Sequence, residues 1–459
     1  MFDKRGATGL ASAAMSTPTI ETRLRVPPAL DVPEGLPAGI DLGRINNREE
    51  ALRRFGTDFV HHLTDHALRG EDLAYQAYLD YKNPEIASNW GMFERALEHG
   101  IDALDDPADS LVALFDALDD VPDWVDYDQL ERGAIAYWRG GAFAPMAISY
   151  AVIGAGFSMY SSTRPVLFSG RLNDPKEAGP RMVESFRWVV AAHTPGAMVR
   201  DGEGFCLTAR VRMIHAAVRH VLSHSEHWDW PAWGVPINSL DQMNTQAGQF
   251  GACFVDSLRM AGIKISDREE EDIFALTRYI GWVIGVEPTI LHTGVDDARM
   301  KGKLHRLIEQ PADDDCRDVV HSIIDFSTEK PPGDVEILPA PVAAFMTTER
   351  RRKLAYGLIA SWLPEFVDGL GVEMTNWRFV LPTVRPFMAA KERVTRPRAT
   401  LESDRKITMK TISQFNAAIA LPQDAEKGTE LAGVDKLQQD VSANKGNVKK
   451  APHLVRAGV

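Results

Sequence analysis

Apolar residues recur at intervals of three and four along most of this 459-residue chain, a spacing that restricts the fold more than any other feature. Between residues 48 and 100 the pattern is carried by Leu52, Phe55, Phe59, Val60, Leu63, Leu73, Tyr75, Tyr78 and Leu79. Further helices are predicted at 111–118, 129–139, 175–192, 205–223, 239–261, 266–286, 296–309 and 342–370. Alternating strand patterns are scarce. The sequence therefore predicts an all-α protein with one main body.

Composition divides the chain into three predicted parts. Residues 1–41, rich in Pro, Gly and small side chains, are expected to form a flexible arm. Residues 42–400 are expected to form one helical domain, and the polar residues 401–459 a disordered tail. The net charge of −13 argues against nucleic-acid binding, which needs clustered Lys and Arg. Three cysteines without a CxxC pair, and no signal-peptide pattern, predict a cytoplasmic protein.

One segment, residues 141–160, carries no charge over about the length that spans a bilayer. Its Pro, Gly, Ala and Ser content is unlike that of a transmembrane helix, which is dense in Leu, Ile and Val. We therefore expect a buried helix whose small residues let another group approach closely, and membrane contact that is at most peripheral.

The helix predicted at 205–223 carries the first candidate for chemistry. One face of this helix carries Leu207, Val211, His215, Val218 and Leu222, which are separated by four, four, three and four residues. This face is expected to be the core face. His215 is then either a core residue bonded to a carbonyl, or an axial ligand presented from an apolar slot. Cations flank this face, and they suit the propionates of a porphyrin: Arg210, Arg212 and Arg219.

The preceding helix supplies a second polar set. Arg181, Glu184 and Ser185 are spaced at three and four and are therefore neighbours on one surface. They form either a solvated ion pair with an adjacent hydroxyl or a partly buried polar group, since Met182, Val183 and Trp188 accompany them.

Two further clusters admit more than one interpretation. The first consists of histidines at spacings of four and three: His220, His224 and His227. They either bind a metal or cap the exposed carbonyls at a helix end. The second consists of loop tryptophans, which either face a membrane or substrate or pack with bonded N–H groups: Trp228, Trp230 and Trp233.

From residue 161 to 307 the order and spacing of several motifs resemble the family of MpaB-type and rubber (latex-clearing) oxygenases. The motifs are Arg210-Val211-Arg212-Met213-Ile214-His215-Ala216-Ala217-Val218-Arg219, then Trp233-Gly234-Val235-Pro236-Ile237-Asn238, Thr245, Phe250, Gly262-Ile263, Gly281 and Gly285. The resemblance implies an all-helical, globin-like core around a b-type haem, with His215 as the proximal iron ligand. Arg181, Glu184 and Ser185 match an Arg-Lys-Thr set near the distal face of the haem in rubber oxygenases.

Glu184 departs from the family pattern, because an acid replaces a lysine that can cap the iron. The departure argues against a lysine-ligated closed state and against polyisoprene as the substrate. The resemblance therefore implies a haem-dependent oxygenase that uses O2 to attack an alkene in a lipophilic, isoprenoid-like small molecule. A haem or lipophile carrier without turnover is one alternative. A helical interaction protein in which His215 is a core residue is another.

Overall fold

The structure is a computed structural model that describes residues 30–168, 175–328 and 346–419, and every regular element in these ranges is helical. The first half contains α1 (Arg48–Phe55), α2 (Thr57–Asp65), α3 (Asp72–Lys82), α4 (Trp90–His99), α5 (Asp109–Asp119), α6 (Tyr127–Trp138), α7 (Phe143–Met146), α8 (Ile153–Ser158), α9 (Tyr160–Phe168), α10 (Pro175–Ala192) and α11 (Glu203–Ser223). The prediction of an all-α fold is confirmed.

The second half continues with α12 (Trp230–Trp233), α13 (Ser239–Asn244), α14 (Phe254–Met260), α15 (Asp267–Ile284), α16 (Val295–Ile308), α17 (Asp314–Thr328), α18 (Thr348–Trp362), α19 (Val367–Leu370), α20 (Val380–Thr395) and α21 (Leu401–Ile419). Two π-helical stretches join neighbouring α-helices: Ala147–Val152 and Thr245–Cys253. Short 3₁₀ helices lie at Gly39–Asp41, His66–Leu68, Ile101–Ala103, Pro364–Phe366, Asn376–Phe379 and Arg396–Arg398.

The core is centred on α6 and α15, which pack side by side at the position of Gly133. A Cβ atom at residue 133 would collide with the carbonyl of Asp272, so glycine is required for this approach. Tyr137 on α6 also stacks on Phe254 at the start of α14, with ring centroids 3.7 Å apart. The core thus begins from one close helix pair and extends outward to α10 and α11.

Helices α10 and α11 form an antiparallel pair joined by a tight connection. Pro175 begins α10, as predicted, because the first turn of a helix does not use the missing proline N–H. Gly204 lies so close to α10 that a Cβ would be 2.5 Å from the carbonyl oxygen of Ala191. This close approach fixes the start of α11 against the end of α10.

Both predicted termini need correction. Residues 401–419 are not a disordered tail: they form α21, whose Phe415 is buried and lies 5.6 Å from the Phe186 ring. Their apolar residues are sparse but fall on one helical face, which packs against α6 and α10. The end of the predicted arm is also packed, since Leu30 and Ile40 are buried. The remainder of the arm and of the tail lies outside the described residues.

The uncharged segment 141–160 forms α7, a π-helical stretch and α8, and most of it is buried, as expected. Among the described residues, no single helix has the length and apolar character needed to cross a bilayer. Tyr127–Trp138 and Phe143–Ser158 reach that threshold only together, with an 87° bend between them. Small residues serve close packing here, because Gly156 lies against the carboxamide of Gln249.

Candidate functional site: a crevice between two helices

Helix α11 has two apolar stripes rather than one. The fully buried stripe is carried by Phe205, Ala209, Met213, Ala216 and Ala217. In the predicted stripe, Leu222 is fully buried, whereas Leu207, Val211, His215 and Val218 are partly buried. Val211 packs against the main core, and Val218 and Leu222 belong to a second apolar cluster, so the prediction that this stripe faces the interior holds for these residues. Periodicity alone did not reveal that a second, more deeply buried stripe exists on the same helix.

His215 is a neutral imidazole with an unpartnered nitrogen. Burial lowers the pKa of its ring to about 3, and the charges of Arg219 and Arg181 act in the same direction. Nδ1 is buried and has no hydrogen-bond partner among the described residues. The side chain as a whole is only partly buried, and no hydrogen bond to Nε2 occurs among the described residues. A neutral imidazole nitrogen of this kind can bind a ligand at neutral pH.

The register of the helix pair places Arg181 opposite His215. Trp188 on α10 donates its Nε1 hydrogen to Thr208 Oγ1 on α11, at 3.1 Å. In an antiparallel pair, seven residues back on one helix and seven residues forward on the other reach the same level. Arg181 and His215 are those residues, and the lowering of the His215 pKa by Arg181 agrees with this placement.

The structure brings together the polar set predicted on α10. Arg181 Nη1 donates to Ser185 Oγ at 3.1 Å and lies 3.6 Å from Glu184 Oε2. The Arg181 and Glu184 side chains are 36% and 24% exposed, so they are half-buried rather than fully solvated. A cation, a carboxylate and a hydroxyl therefore line one wall, with Trp188 further along it. We call the region between these side chains and the partly buried residues Leu207, Val211, His215 and Val218 of α11 the His215 crevice.

The three arginines predicted to flank a cofactor are each engaged by the protein. Arg210 forms a two-point ion pair with Glu94: Nε donates to Oε1 at 2.9 Å and Nη2 donates to Oε2 at 2.7 Å. Arg212 Nη2 donates to Glu71 Oε1 at 2.6 Å. Arg219 donates to backbone carbonyls of the loop after α11. Helical spacing could not predict these contacts, because Glu94 and Glu71 lie more than a hundred residues earlier in the chain. The three arginines therefore have partners within the protein, and their role toward a cofactor stays a prediction.

Arg219 holds the loop that follows α11. Its guanidinium donates to the carbonyl oxygens of Ile237 at 2.7 Å, Pro236 at 3.2 Å and Glu71 at 3.3 Å. Ile237 has φ of +50°, which is rare for a β-branched residue and costs roughly 1–3 kcal/mol. Gly234 in the same loop has φ of +72° and lies against the backbone of Ala67. The Trp-Gly-Val-Pro-Ile-Asn motif is thus a strained loop clamped to the helix that bears His215.

Gln242 is a site residue that the sequence did not single out. It lies on α13, directly after the clamped loop, and is buried. Its Nε2 donates to Ile237 O at 3.2 Å, whereas its Oε1 is buried without a partner. Its carboxamide lies close enough to His215 to act against the lowering of the imidazole pKa. The only signal for it was its position a few residues after the loop motif.

The remaining clusters are resolved as packing. The described residues contain no group of three or more His, Cys, Asp or Glu side chains placed to bind a metal ion. His224 Nδ1 instead donates to the carbonyl of His220 at 2.7 Å, at the end of α11. Trp228 Nε1 donates to Gly234 O at 2.8 Å and Trp233 Nε1 to Tyr160 Oη at 3.1 Å. The packed-loop interpretation of these two tryptophans is confirmed.

Comparison with known proteins decides the family. Residues 135–391, more than half of the chain, match the family model described as ER-bound oxygenase mpaB/B′/rubber oxygenase, catalytic domain. The chain belongs to this family. The match extends beyond the 161–307 range in which the motifs were found, and it includes the crevice, the clamped loop and most of α20.

Individual relatives of the family are distant from this chain. The rubber oxygenase of Streptomyces sp. (strain K30) is 25% identical over 191 residues, which are 40% of this chain and 44% of that protein. The chain thus matches under half of the length of that relative. The solved structure of a latex clearing protein, LCP, in the closed state is 16% identical with a TM-score of 0.55, covering 76% of this chain and 92% of that one. At this identity the likeness extends to the fold.

Proposed function

We propose that this chain is a haem-dependent oxygenase in which His215 binds the iron through Nε2. The observation that carries the proposal is the state of the His215 ring: neutral, without a partner at Nδ1, and without a hydrogen bond to Nε2 among the described residues. Iron in a porphyrin takes a neutral imidazole presented by a helix. Membership of an oxygenase family supports the same assignment.

The residues present fit a haem. The crevice wall on α11 is apolar apart from His215, as a macrocycle requires, and Val211 and Val218 lie one turn on either side of the histidine. The haem would supply an iron centre able to activate O2. Gln242, with its unpartnered Oε1, is placed to accept a hydrogen bond from His215 Nδ1 and so fix the tautomer that leaves Nε2 unprotonated.

On the opposite wall, Arg181 and Ser185 are placed to donate hydrogen bonds to an oxygen atom that acquires negative charge. Such donors are most effective where water is scarce, because the effective dielectric constant is low there. Glu184, beside Arg181, is the carboxylate available to accept a proton from an allylic carbon of the substrate. Arg181 in turn orients Glu184 and Ser185, since it contacts both side chains.

The substrate class follows from the lining of the crevice. Beside the set on α10, the neighbouring side chains of the two helices are apolar and partly buried, namely Val211, Val218 and the Trp188 ring. A lipophilic alkene matches these side chains, and oxidative cleavage by O2 into two carbonyl groups consumes no external reductant. The acid at residue 184 distinguishes this chain from rubber oxygenases, so we propose a small isoprenoid-like alkene rather than polyisoprene.

Absorption spectroscopy tests the cofactor. Protein expressed with ample haem is expected to show a Soret band that shifts on reduction with dithionite, and His215→Ala is expected to lose or shift it. His292→Ala is the matched control, because His292 is also buried with an unpartnered Nδ1 and a pKa lowered by burial to about 4. A colourless wild type, or a His215→Ala spectrum identical to that of the wild type, would contradict the proposal.

Oxygen uptake separates turnover from simple binding. The haem-loaded wild type is expected to consume O2 with a lipophilic alkene, and Arg181→Ala to reduce the rate by about 10²–10³-fold if Arg181 supports a developing oxyanion. Substrate binding without O2 consumption would identify a haem or lipophile carrier instead.

A further inference from the structure

Helix α20 exposes apolar side chains to solvent on the side away from the body. Phe387 is 73% exposed and Val394 is 61% exposed, and they lie seven residues apart, hence on one side of the helix. Phe379, directly before α20, is 51% exposed. Single exposed apolar residues are common, but Phe387 and Val394 on α20, with Phe379 just before it under the Arg378 guanidinium at 4.8 Å, form an exposed apolar face.

The opposite side of α20 is attached to the protein. Leu381 is buried, and Met388 and Glu392 follow it at seven and eleven residues, on the same side. Gly262, which precedes α15, lies directly against the backbone of α20: a Cβ at residue 262 would be 2.5 Å from the carbonyl oxygen of Arg385. The φ of Gly262 is +89°, which also favours glycine. The exposed face is therefore held at a fixed orientation on the surface.

Basic residues surround this face. The stretch 376–398 contains one acidic residue, Glu392, and six basic ones: Arg378, Arg385, Lys391, Arg393, Arg396 and Arg398. Glu392 is turned inward, 3.6 Å from Arg139. The side chains of Arg385, Lys391 and Arg393 form no ion pair or hydrogen bond in the described part of the chain. In a chain of net charge −13, this is a strong local reversal of sign.

We infer that α20, with Phe379, Phe387, Val394 and its surrounding cations, binds the surface of an anionic lipid bilayer. A 16-residue helix is about 24 Å long and lies in the headgroup region with its aromatic and aliphatic side chains inserted and its cations near lipid phosphates. The acidic remainder of the protein is repelled by the same membrane, so the charge distribution sets the orientation. This inference rests on α20 alone and does not depend on the proposed function.

Vesicle co-sedimentation of the full chain tests the inference. The wild type is expected to bind vesicles of phosphatidylcholine with phosphatidylserine, to bind phosphatidylcholine alone weakly, and to dissociate at high salt. Two variants probe the two contributions: Phe387→Ser with Val394→Ser, and Arg385→Gln with Lys391→Gln and Arg393→Gln. The triple variant is expected to bind on the order of a hundredfold more weakly, since each cation near the surface contributes about fivefold.

Met300→Ser is the matched control, because Met300 is 41% exposed on α16, outside this surface, and its loss is expected to leave binding unchanged. All the substituted side chains are exposed, so circular dichroism melts are expected to coincide with that of the wild type. Failure of the wild type to bind anionic vesicles would overturn the inference. Binding of both variants to anionic vesicles as tightly as the wild type would also overturn the inference. A dimer that becomes a monomer on Phe387→Ser with Val394→Ser would assign the surface to a second copy of this chain.

Discussion

Two consecutive residues on α13 face opposite kinds of surroundings. Asp241 lies at the centre of a network in which its carboxylate accepts hydrogen bonds from Arg44 Nη1 at 2.8 Å and Asn238 Nδ2 at 2.8 Å, and lies 3.1 Å from His305 Nε2. We call these four residues the Asp241 network. Gln242, its neighbour, points toward the His215 crevice with Oε1 unpartnered. Asp241 thus has a paired carboxylate, whereas Gln242 keeps an unpartnered carboxamide oxygen. Buried nitrogens without a partner occur on both sides of this short helix, at Arg44 Nε and His305 Nδ1 and at His215 Nδ1.

The difference indicates what each region is for. Burial raises the pKa of Asp241, but the charges and hydrogen bonds of Arg44 and His305 offset it, so that the pKa lies well below its usual range. The carboxylate is therefore charged, paired and structural. In the crevice, burial lowers the pKa of His215 and Gln242 opposes this only in part, so the ring is neutral, and its Nδ1 has no hydrogen-bond partner among the described residues. A neutral, unpartnered imidazole is expected where a ligand binds it.

The largest predicted effect is a loss of folding stability on disruption of the Asp241 network. Asp241→Ala leaves Arg44 buried, with its side chain only 2% exposed, and without its carboxylate, so the free energy of unfolding is expected to fall by about 3–5 kcal/mol. Urea denaturation followed by circular dichroism measures it. Glu402→Ala is the control, because it breaks an exposed ion pair with Lys406 and is expected to cost less than about 0.5 kcal/mol. Equal stabilities of Asp241→Ala and wild type would remove the distinction between the two regions.

The second predicted effect is a loss of folding stability at acid pH, and it originates from His215 in the crevice. His215 stays neutral when folded down to a pKa of about 3, whereas in the unfolded chain it takes up a proton near pH 6.5. Stability from this group is therefore complete above pH 6.5 and is lost as the pH falls toward 3, by up to about tenfold in the folding constant per pH unit. Haem-free His215→Gln is expected to lose less stability than the wild type between pH 7 and pH 5. Parallel pH profiles in urea denaturation would refute this.

A third, smaller effect concerns the contact that sets the register of the crevice. Trp188→Phe keeps the ring but removes the Nε1 hydrogen bond to Thr208, so the free energy of unfolding is expected to fall by about 1 kcal/mol. A double-mutant cycle with Thr208→Val measures the coupling between the two side chains. If the coupling is zero, this bond does not hold α10 against α11.

The smallest effect is expected at His215 itself at neutral pH. His215→Leu replaces an unpartnered buried nitrogen with carbon, so the haem-free variant is expected to be as stable as the wild type or more stable by up to about 1 kcal/mol. Thermal and urea denaturation at pH 7 measure the difference. A loss comparable to that of Asp241→Ala would identify His215 as a structural residue and contradict its assignment as a ligand.

The sequence by itself determined the helical class, the start of α10 at Pro175 and the stripe of α11 that carries His215. Each of these depends on residues within a few positions of one another, because helix formation and side-chain periodicity are local. The grouping of Arg181, Glu184 and Ser185 was also local, and the hydrogen bond between Arg181 and Ser185 agrees with it. The family motifs were visible for the same reason.

Only the tertiary structure decided which polar atoms have partners. Glu94 pairs with Arg210 and Glu71 pairs with Arg212, in each case across more than a hundred residues of sequence. The residue spacing within α11 therefore could not predict these ion pairs. Folding likewise decided that the stripe of Met213 and Ala216 is more deeply buried than the stripe that contains His215. Free energies of buried polar groups depend on contacts between distant segments, so a sequence names His215 as a candidate but only packing shows that its ring is neutral and unpartnered.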